Sequence, residues 1–310
     1  MDTKALKDSI LDFVLDIDEW KIFFKRLFSL VAIIIVSLVL WIFPVSLIVA
    51  PFYSITQDKK PKIEIYKNVT GETTTKAIQK GLIDLLDEGL VTNFVGVKIW
   101  IDNKYFEQVG KIEMYRIALN LLENNLARNR GTGGANPYIV QARADVYADY
   151  TLPLFTSYSA RLKQAVSNIE KYLTELKEDK NKPMEEKRAV FIVNSDNLAV
   201  ALDKLKQQLQ TNLMIKSSFT SEDDKFYRIK GNLIAMYYVL KGIDHDFKDK
   251  MKDKTSYDEN FLPIMSLLKD AIAQNHLVIL ESMGHLSKLE KDANLIAQKL
   301  AELRDKLRNG

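Results

Sequence analysis

Apolar positions along the chain fall into three regimes. In Met1–Trp20, Leu6, Ile10, Phe13, Val14 and Ile17 recur at i, i+4, i+7, i+8 and i+11, with Asp8, Asp12, Asp16 and Glu19 lying elsewhere. That spacing predicts an amphipathic leader helix over residues 1–26. The second regime begins after Arg26, where 31 residues pass before the next charge at Asp58. Its core, Leu27–Phe52, exceeds the roughly 20 apolar residues that cross about 30 Å of hydrocarbon. The third regime, from Asp58 onward, interleaves apolar stripes with charges at helical spacing.

The uncharged run reads as a retained anchor rather than a cleaved signal, because secretory apolar cores run about 7–15 residues behind a short basic leader. Here the run is longer, follows 26 residues, and has no Ala-x-Ala-like site behind it. Pro44 and Pro51 remove backbone donors. The straight span is thus expected over Phe28–Phe43, with Val45–Phe52 as a bent end and Trp41 and Tyr53 at headgroup level. Lys21, Lys25 and Arg26 precede the span, and Lys59, Lys60, Lys62 and Lys67 follow it, so loop charge nearly balances. A large C-terminal domain translocates largely regardless of charge, whereas Lys25-Arg26 lie directly against the membrane. The expected placement is a single inner-membrane pass, with a cytoplasmic N-terminus and a periplasmic C-terminal domain.

Beyond the span, Thr73–Leu90 predicts a helix with Ala77, Leu82, Ile83, Leu85 and Leu86 on its apolar face and Gly89 as its stop. Lys62–Val69 and Val91–Ile101 are candidate strands. Ile112–Arg128 is expected to be helical, and Gly131–Pro137 is a loop and a possible sub-boundary. Long helices follow over Tyr158–Lys177, Ser195–Lys216, Ser221–Lys252 and Asp258–Arg308. Ser221 and Asp224 resemble a capping arrangement, and Pro263 falls in the early turns of the last helix. In that helix Leu267, Ile272, Leu277, Leu280, Leu286, Leu289, Leu295, Leu300, Leu303 and Leu307 form a stripe broken only by Gly284. Such a stripe serves either a bundle helix within one subunit or a self-associating coiled coil. The fold class is therefore mainly α: one N-terminal transmembrane helix (27–52), then a helical-bundle domain (58–310) with at most a minor β element.

Composition narrows the function. Residues 1–26 hold five basic and six acidic side chains, so the remainder carries +4 of the chain's net +3. This weak basicity does not fit a nucleic-acid binder, in which basic residues cluster at high pI. The absence of cysteine removes disulfides, thiolate ligands and cysteine nucleophiles. Membrane-surface helices favour Lys and Arg on the polar face, whereas the leader's polar face is mostly acidic. Leu6, Ile10, Phe13 and Ile17 are thus candidate partner-docking residues, the alternative being a plain helical extension of the span.

One block carries a resemblance. Asp196–Leu213, followed by Asp223–Phe247, contains Asp196-Asn197-Leu198, Asp224, Phe226, Tyr227, Gly231, Asp246 and Phe247. These residues resemble the pattern of the domain-of-unknown-function 2333 family, a group of proteobacterial envelope proteins, with Lys230-Gly231 where the family has Arg-Gly. Further echoes lie at Leu152-Pro153 through Tyr172-Leu173 and at Thr73–Leu86. The family's glycine-rich loop before its final helix is not evident here. The resemblance implies fold and envelope location, and brings no activity.

Candidate chemistry is sparse. The histidines are His245, His276 and His285; Asp244-His245-Asp246 cannot all face one ion, because consecutive helix residues lie about 100° apart, and His276 and His285, nine apart, point nearly opposite ways on a helix. No metal or cofactor site is therefore expected. The Gly131–Gly134 loop lacks the Gly-Lys-Ser/Thr ending of a phosphate loop, and Gly-x-Ser-x-Gly and His-Glu-x-x-His are missing. The richest aromatic and basic neighbourhood is Arg143, Tyr147, Tyr150, Phe155, Tyr158 and Arg161. Arg143, Tyr147, Tyr150, Tyr158 and Arg161 are candidates for a ligand cleft, while Phe226, Tyr227, Tyr237 and Tyr238 read as core. The sequence thus points away from an enzyme. It points to a scaffold or accessory subunit of an envelope assembly, meeting other envelope proteins or its own copies through long helices. A periplasmic ligand-binding or glycan-processing domain with a carboxylate cleft is the alternative.

Overall fold

The computed structural model describes residues 20–37, 64, 69–90, 95–128, 134–149, 158–217, 221–254, 257–274, 276, 279 and 283–309. The chain divides into two units, Met1–Ala50 and Pro51–Gly310.

In the first unit, residues 20–37 form helix α1. Its large apolar side chains, from Ile22, Phe23 and Phe24 through Ile33, Ile34, Ile35 and Val36, are exposed, Phe28 to 80%. Trp20 stacks on Phe24 at 5.7 Å and meets Phe23 edge-on at 5.9 Å. Among the described residues no helix is long and apolar enough to cross a membrane. Of the expected span, residues 38–52 lie outside the described residues, as does the leader carrying Leu6, Ile10, Phe13 and Ile17.

The second unit is built of helices: α2 (Glu72–Asp87), α3 (Val95–Leu121), α4 (Pro137–Tyr147), α5 (Tyr158–Glu178), α6 (Ser195–Leu213), α7 (Glu222–Asp246), α8 (Lys248–Lys254), α9 (Tyr257–Ile272) and α10 (His285–Asn309). No strand occurs among the described residues, where the extended pairing is a single bridge between Arg128 and Ala135. The candidate strand Val91–Ile101 is instead helical from Val95 onward. Once the downstream turns of α3 are fixed by packing, each added residue gains a hydrogen bond for little further ordering, and this outweighs the β preference of a short Val/Ile/Trp segment. Most of the other candidate strand, Lys62–Val69, lies outside the described residues.

Helix α7 is central, packing on α2, α3, α6, α9 and α10. Its tightest crossing is with α3, and two glycines make it possible. A Cβ at Gly231 would fall 1.9 Å from the carbonyl oxygen of Glu107, and one at Gly110 would fall 2.1 Å from that of Arg228. The neighbouring Asn232 uses the proximity, donating from Nδ2 to the Gly110 carbonyl at 3.1 Å. Gly242, two to three turns on, lets α7 lie against the start of α2, where an added Cβ would meet Thr74 Cα at 2.5 Å.

Two expected long helices are divided. The segment Ser221–Lys252 breaks at Phe247, whose ring enters the core beside Phe191. The segment Asp258–Arg308 is two helices, because α9 ends at Ile272 and α10 starts at His285 behind Gly284, which has φ +68°. Glycine takes that left-handed conformation without a Cβ clash. Of the expected stripe, Leu267 and Ile272 are half-buried in α9, Leu286, Leu289, Leu300, Leu303 and Leu307 are buried in α10, Leu295 is exposed, and Leu277 and Leu280 lie outside the described residues. In α10, Leu286, Leu289, Ala293, Ile296, Leu300, Leu303 and Leu307 are buried at alternating three- and four-residue steps, and in α6 so are Leu198, Leu202, Leu205, Leu209 and Asn212. The two helices pack together in a heptad-like seam inside one chain, flanked by the 2.5 Å Arg304–Asp203 ion pair.

Candidate functional site

Helix α2 is held at both ends by charge. At its C-terminus three residues of α3 one turn apart converge: Lys104 Nζ donates to the Glu88 carbonyl, Gln108 Nε2 to the Gly89 carbonyl at 2.8 Å, and Lys111 Nζ to both Glu88 carboxylate oxygens at 2.9 Å. Carbonyls left over at a helix end, and the partial negative charge there, are thereby satisfied. Lys111 is only 5% exposed and also pairs with Glu107 at 2.6 Å. Burial opposes its charge, yet Glu107 and Glu88 push its pKa up to about 12. Burial likewise opposes ionisation of Glu107, but Lys111, with Lys230 and Lys104 beyond it, holds that carboxyl below its ordinary value. Nearby, Tyr238 donates to Asp84 at 2.5 Å, and burial together with that carboxylate pushes the phenol up.

At the N-terminus of α2, Asp246 Oδ2 accepts from Thr74 N and from Thr74 Oγ1, each at 2.7 Å. The buried Glu72 pairs with Lys177 at 2.8 Å. The residues that suggested the family resemblance therefore have structural work. Asp246 caps α2, Phe226 and Phe247 fill the core, and Gly231 permits the α3–α7 crossing. Asn197 donates to the carbonyls of Asn125 and Ile192 at 3.1 and 3.2 Å, tying the start of α6 to the π-helical turn Leu122–Leu126.

The α4–α5 hairpin carries the cleft. Asn136 caps α4, its Oδ1 accepting from Tyr138 N at 3.0 Å, and Pro137 occupies the first helical position, where its missing N–H is harmless. Asn136 Nδ2 also donates to Glu175 of α5 at 2.9 Å. One face of α4, with Ile139, Ala142 and Val146, is buried, as is the α5 face with Leu162, Ala165 and Ile169. Beside this apolar contact lies an open cleft of about 430 Å³, lined by Gln141 and Asp145 of α4 and by Arg161, Gln164, Ser167, Asn168 and Lys171 of α5.

Of the five residues expected to form a ligand cleft, Arg161 lines this one. Arg143 pairs with Glu123, and the Tyr147 ring has two guanidinium groups over it, Arg116 at 5.3 Å and Arg143 at 5.4 Å from its centre. Tyr158 is a core residue whose hydroxyl donates to the Val146 carbonyl at 2.8 Å. Tyr150 lies outside the described residues. The aromatic residues are thus drawn to cations and core. The cleft falls instead to Asp145, Arg161, Lys171 and the neutral polar side chains Gln141, Gln164, Ser167 and Asn168.

The histidines behave differently from a continuous helix. Because the chain turns between α9 and α10, the rings of His276 and His285 stack at 3.7 Å with planes 9° apart. Parallel stacked rings cannot both aim a nitrogen at one ion, and no group of three metal-ligating side chains occurs among the described residues. Burial, with His285, Lys288 and Lys230 behind it, pulls the His276 pKa below 6.5.

A glycoside-cleaving carboxyl pair needs one acid with a raised pKa. Among the described residues the carboxyls that depart from ordinary values, Glu107, Glu170, Asp179 and Asp203, are all lowered against the effect of burial by neighbouring lysines, other donors or both.

No curated relative and no solved structure matches the chain. A family model does, over residues 18–213, so α1 to α6 fall within it whereas the resembling segment Asp223–Phe247 lies beyond it. With well over half its length matched, the chain belongs to the family described as an uncharacterized protein conserved in bacteria, domain of unknown function 2333.

Proposed function

We propose that this is a single-pass inner-membrane protein whose helical domain works in the periplasm by protein contact, as a scaffold or accessory subunit of an envelope assembly. The observation that carries this reading is α1. A helix that exposes apolar side chains as large as Phe28, Ile33 and Ile35 has no aqueous role as it stands. The sequence continues without charge to residue 57. On the insertion scale each central Leu, Ile, Phe or Val favours the bilayer by about 0.3–0.6 kcal/mol, so Leu27, Phe28, Leu30, Val31, Ile33, Ile34, Ile35 and Val36 together supply about 2–5 kcal/mol before the rest of the run is added. The cluster of Trp20, Phe23 and Phe24 beside Lys21, Lys25 and Arg26 suits the interface, where aromatic rings and long cationic side chains both settle.

The contact role is supported by how the polar residues are used. Buried Glu72 and Lys111 hold the two ends of α2, and the carboxyls that depart from ordinary values, Glu107, Glu170, Asp179 and Asp203, are all lowered. The test is extraction and topology. The full chain should stay in the membrane fraction at alkaline pH, and a reporter that needs the periplasm should be active when fused at Gly310. Cross-linking in native membranes should then recover a stoichiometric envelope partner, in a manner lost when residues 2–20 are deleted. Release at alkaline pH would remove the anchor, a cytoplasmic reporter signal would reverse the topology, and recovery of the chain alone would remove the contact role.

A further inference from the structure

The α4–α5 cleft contains a carboxylate poorly served by the protein. Asp145 is 1% exposed, yet its side-chain partners are Gln141 at 3.3 Å and Arg161 and Asn168 at 3.4 Å each. Hydrogen bonds to an ionised carboxylate normally close to about 2.7–2.9 Å from nitrogen and 2.5–2.7 Å from a hydroxyl, and burying such a group without good partners is expensive. The long contacts leave Asp145 able to accept from a donor that enters the cleft.

The rim supplies the opposite charge. Arg161 has half its side chain exposed, and Lys171 reaches over the Tyr138 ring at 5.5 Å. With Asp145 the three give the lining a net +1. The other lining residues are Gln, Ser and Asn, each able to donate and accept, and none of the lining side chains is apolar or aromatic. A lining without apolar or aromatic side chains favours a polar ligand over an acyl chain or a flat heterocycle, both of which are held by apolar walls. At about 430 Å³ the cleft lies within the size range of small-molecule sites.

We propose that this cleft binds an anionic, hydroxyl-rich saccharide, with a sugar hydroxyl donating to Asp145 and the ligand's carboxylate or phosphate held by Arg161 and Lys171. A planar carboxylate matches the guanidinium fork of Arg161, and Lys171 adds a point charge. The site stands independently of the contact role proposed above, since neither the anchor nor a partner takes part in it.

The experiment is titration of the full chain in detergent with glucuronate, glucose and inorganic phosphate, followed by saturation-transfer NMR and calorimetry. Glucuronate should bind at millimolar concentration or better, with glucose and phosphate each at least tenfold weaker. Asp145→Asn should weaken glucuronate at least tenfold, and the surface change Lys171→Gln should bring glucuronate and glucose to within a few-fold of each other. Lack of glucuronate binding, equal binding of glucose, phosphate binding as tight as glucuronate, or an unchanged glucuronate affinity in folded Lys171→Gln would each overturn the proposal.

Discussion

Gly231→Ala is a severe test of the packing, because helix propensity and tertiary geometry make opposite demands. In an isolated helix the substitution would stabilise by about 0.8–1 kcal/mol. In this fold the new methyl would sit 1.9 Å from the Glu107 carbonyl oxygen, 2.8 Å from its carbon and 3.0 Å from its Cα, all backbone atoms with no rotamer to yield. Carbon–oxygen contacts lie at about 3.3 Å or beyond, so α3 and α7 would have to part by roughly 1.4 Å. A gap of about 0.5–1 Å already forfeits a quarter to a half of each dispersion contact, and over-packing costs about 1–3 kcal/mol with backbone clashes at the upper end. Subtracting the propensity gain leaves a net loss of about 2 kcal/mol, or about 4–8 °C in Tm for a domain of this size. Gly110→Ala should cost a similar amount, and the double variant should cost less than the sum, because one separation relieves both clashes. Urea and thermal denaturation of the full chain in detergent, followed by far-ultraviolet circular dichroism, measure it. A Gly231→Ala protein as stable as the parent, or more stable, would refute the close crossing.

Lys111→Met removes the cation between Glu88 and Glu107 and should destabilise by about 3–5 kcal/mol, as breaking buried pairs does, read by the same denaturation. In the parent, the lowered pKa of Glu107 adds stability that is present above its ordinary value of 4.5 and lost as pH falls through its folded-state value, so the acid limb of the stability profile should shrink in Lys111→Met. His276, with its pKa lowered in the fold, stays neutral while the unfolded chain takes up a proton, so stability should fall as pH drops below 6.5; His276→Gln should flatten the profile just below that pH, and an unchanged profile would exclude the histidine. Asn212 is 1% exposed in the α6 seam with neither amide atom hydrogen-bonded, so Asn212→Leu should raise stability by about 1–3 kcal/mol, the cost of a buried unpartnered polar group.

Periodicity made much of the bundle legible. The apolar face of Thr73–Leu90 and its glycine stop correspond to α2 and to Gly89 at φ +72°, and Tyr158–Lys177 corresponds to α5 almost to the residue. Breaks were harder to read. A leucine stripe continues in phase whether or not the chain turns, so the gap between Ile272 and His285 left no mark except Gly284. His276 and His285, nearly opposite on a straight helix, therefore meet only because the helix ends. Lys111 looks like any solvated lysine in sequence, and its burial depends on where Glu88 arrives from α2. In the cleft, Arg161 was legible from the aromatic–basic cluster. Asp145 was not, since an aspartate on a short helix carries no sign of whether its carboxylate faces solvent or the interior. Gly231 stood out through the family resemblance alone, and Gly110, which meets it across the crossing, had no local signal.

The absence of native cysteine allows the anchor to be examined one position at a time. The most direct measurement is to place single cysteines at Ile33 and at Leu262 of α9, treat spheroplasts with a membrane-impermeant maleimide, and repeat after detergent. With α1 in the bilayer and the helical domain in the periplasm, Leu262→Cys is labelled in intact spheroplasts, whereas Ile33→Cys reacts only once the bilayer is dissolved. Free labelling of Ile33→Cys in intact spheroplasts, or protection of Leu262→Cys there, would contradict that placement.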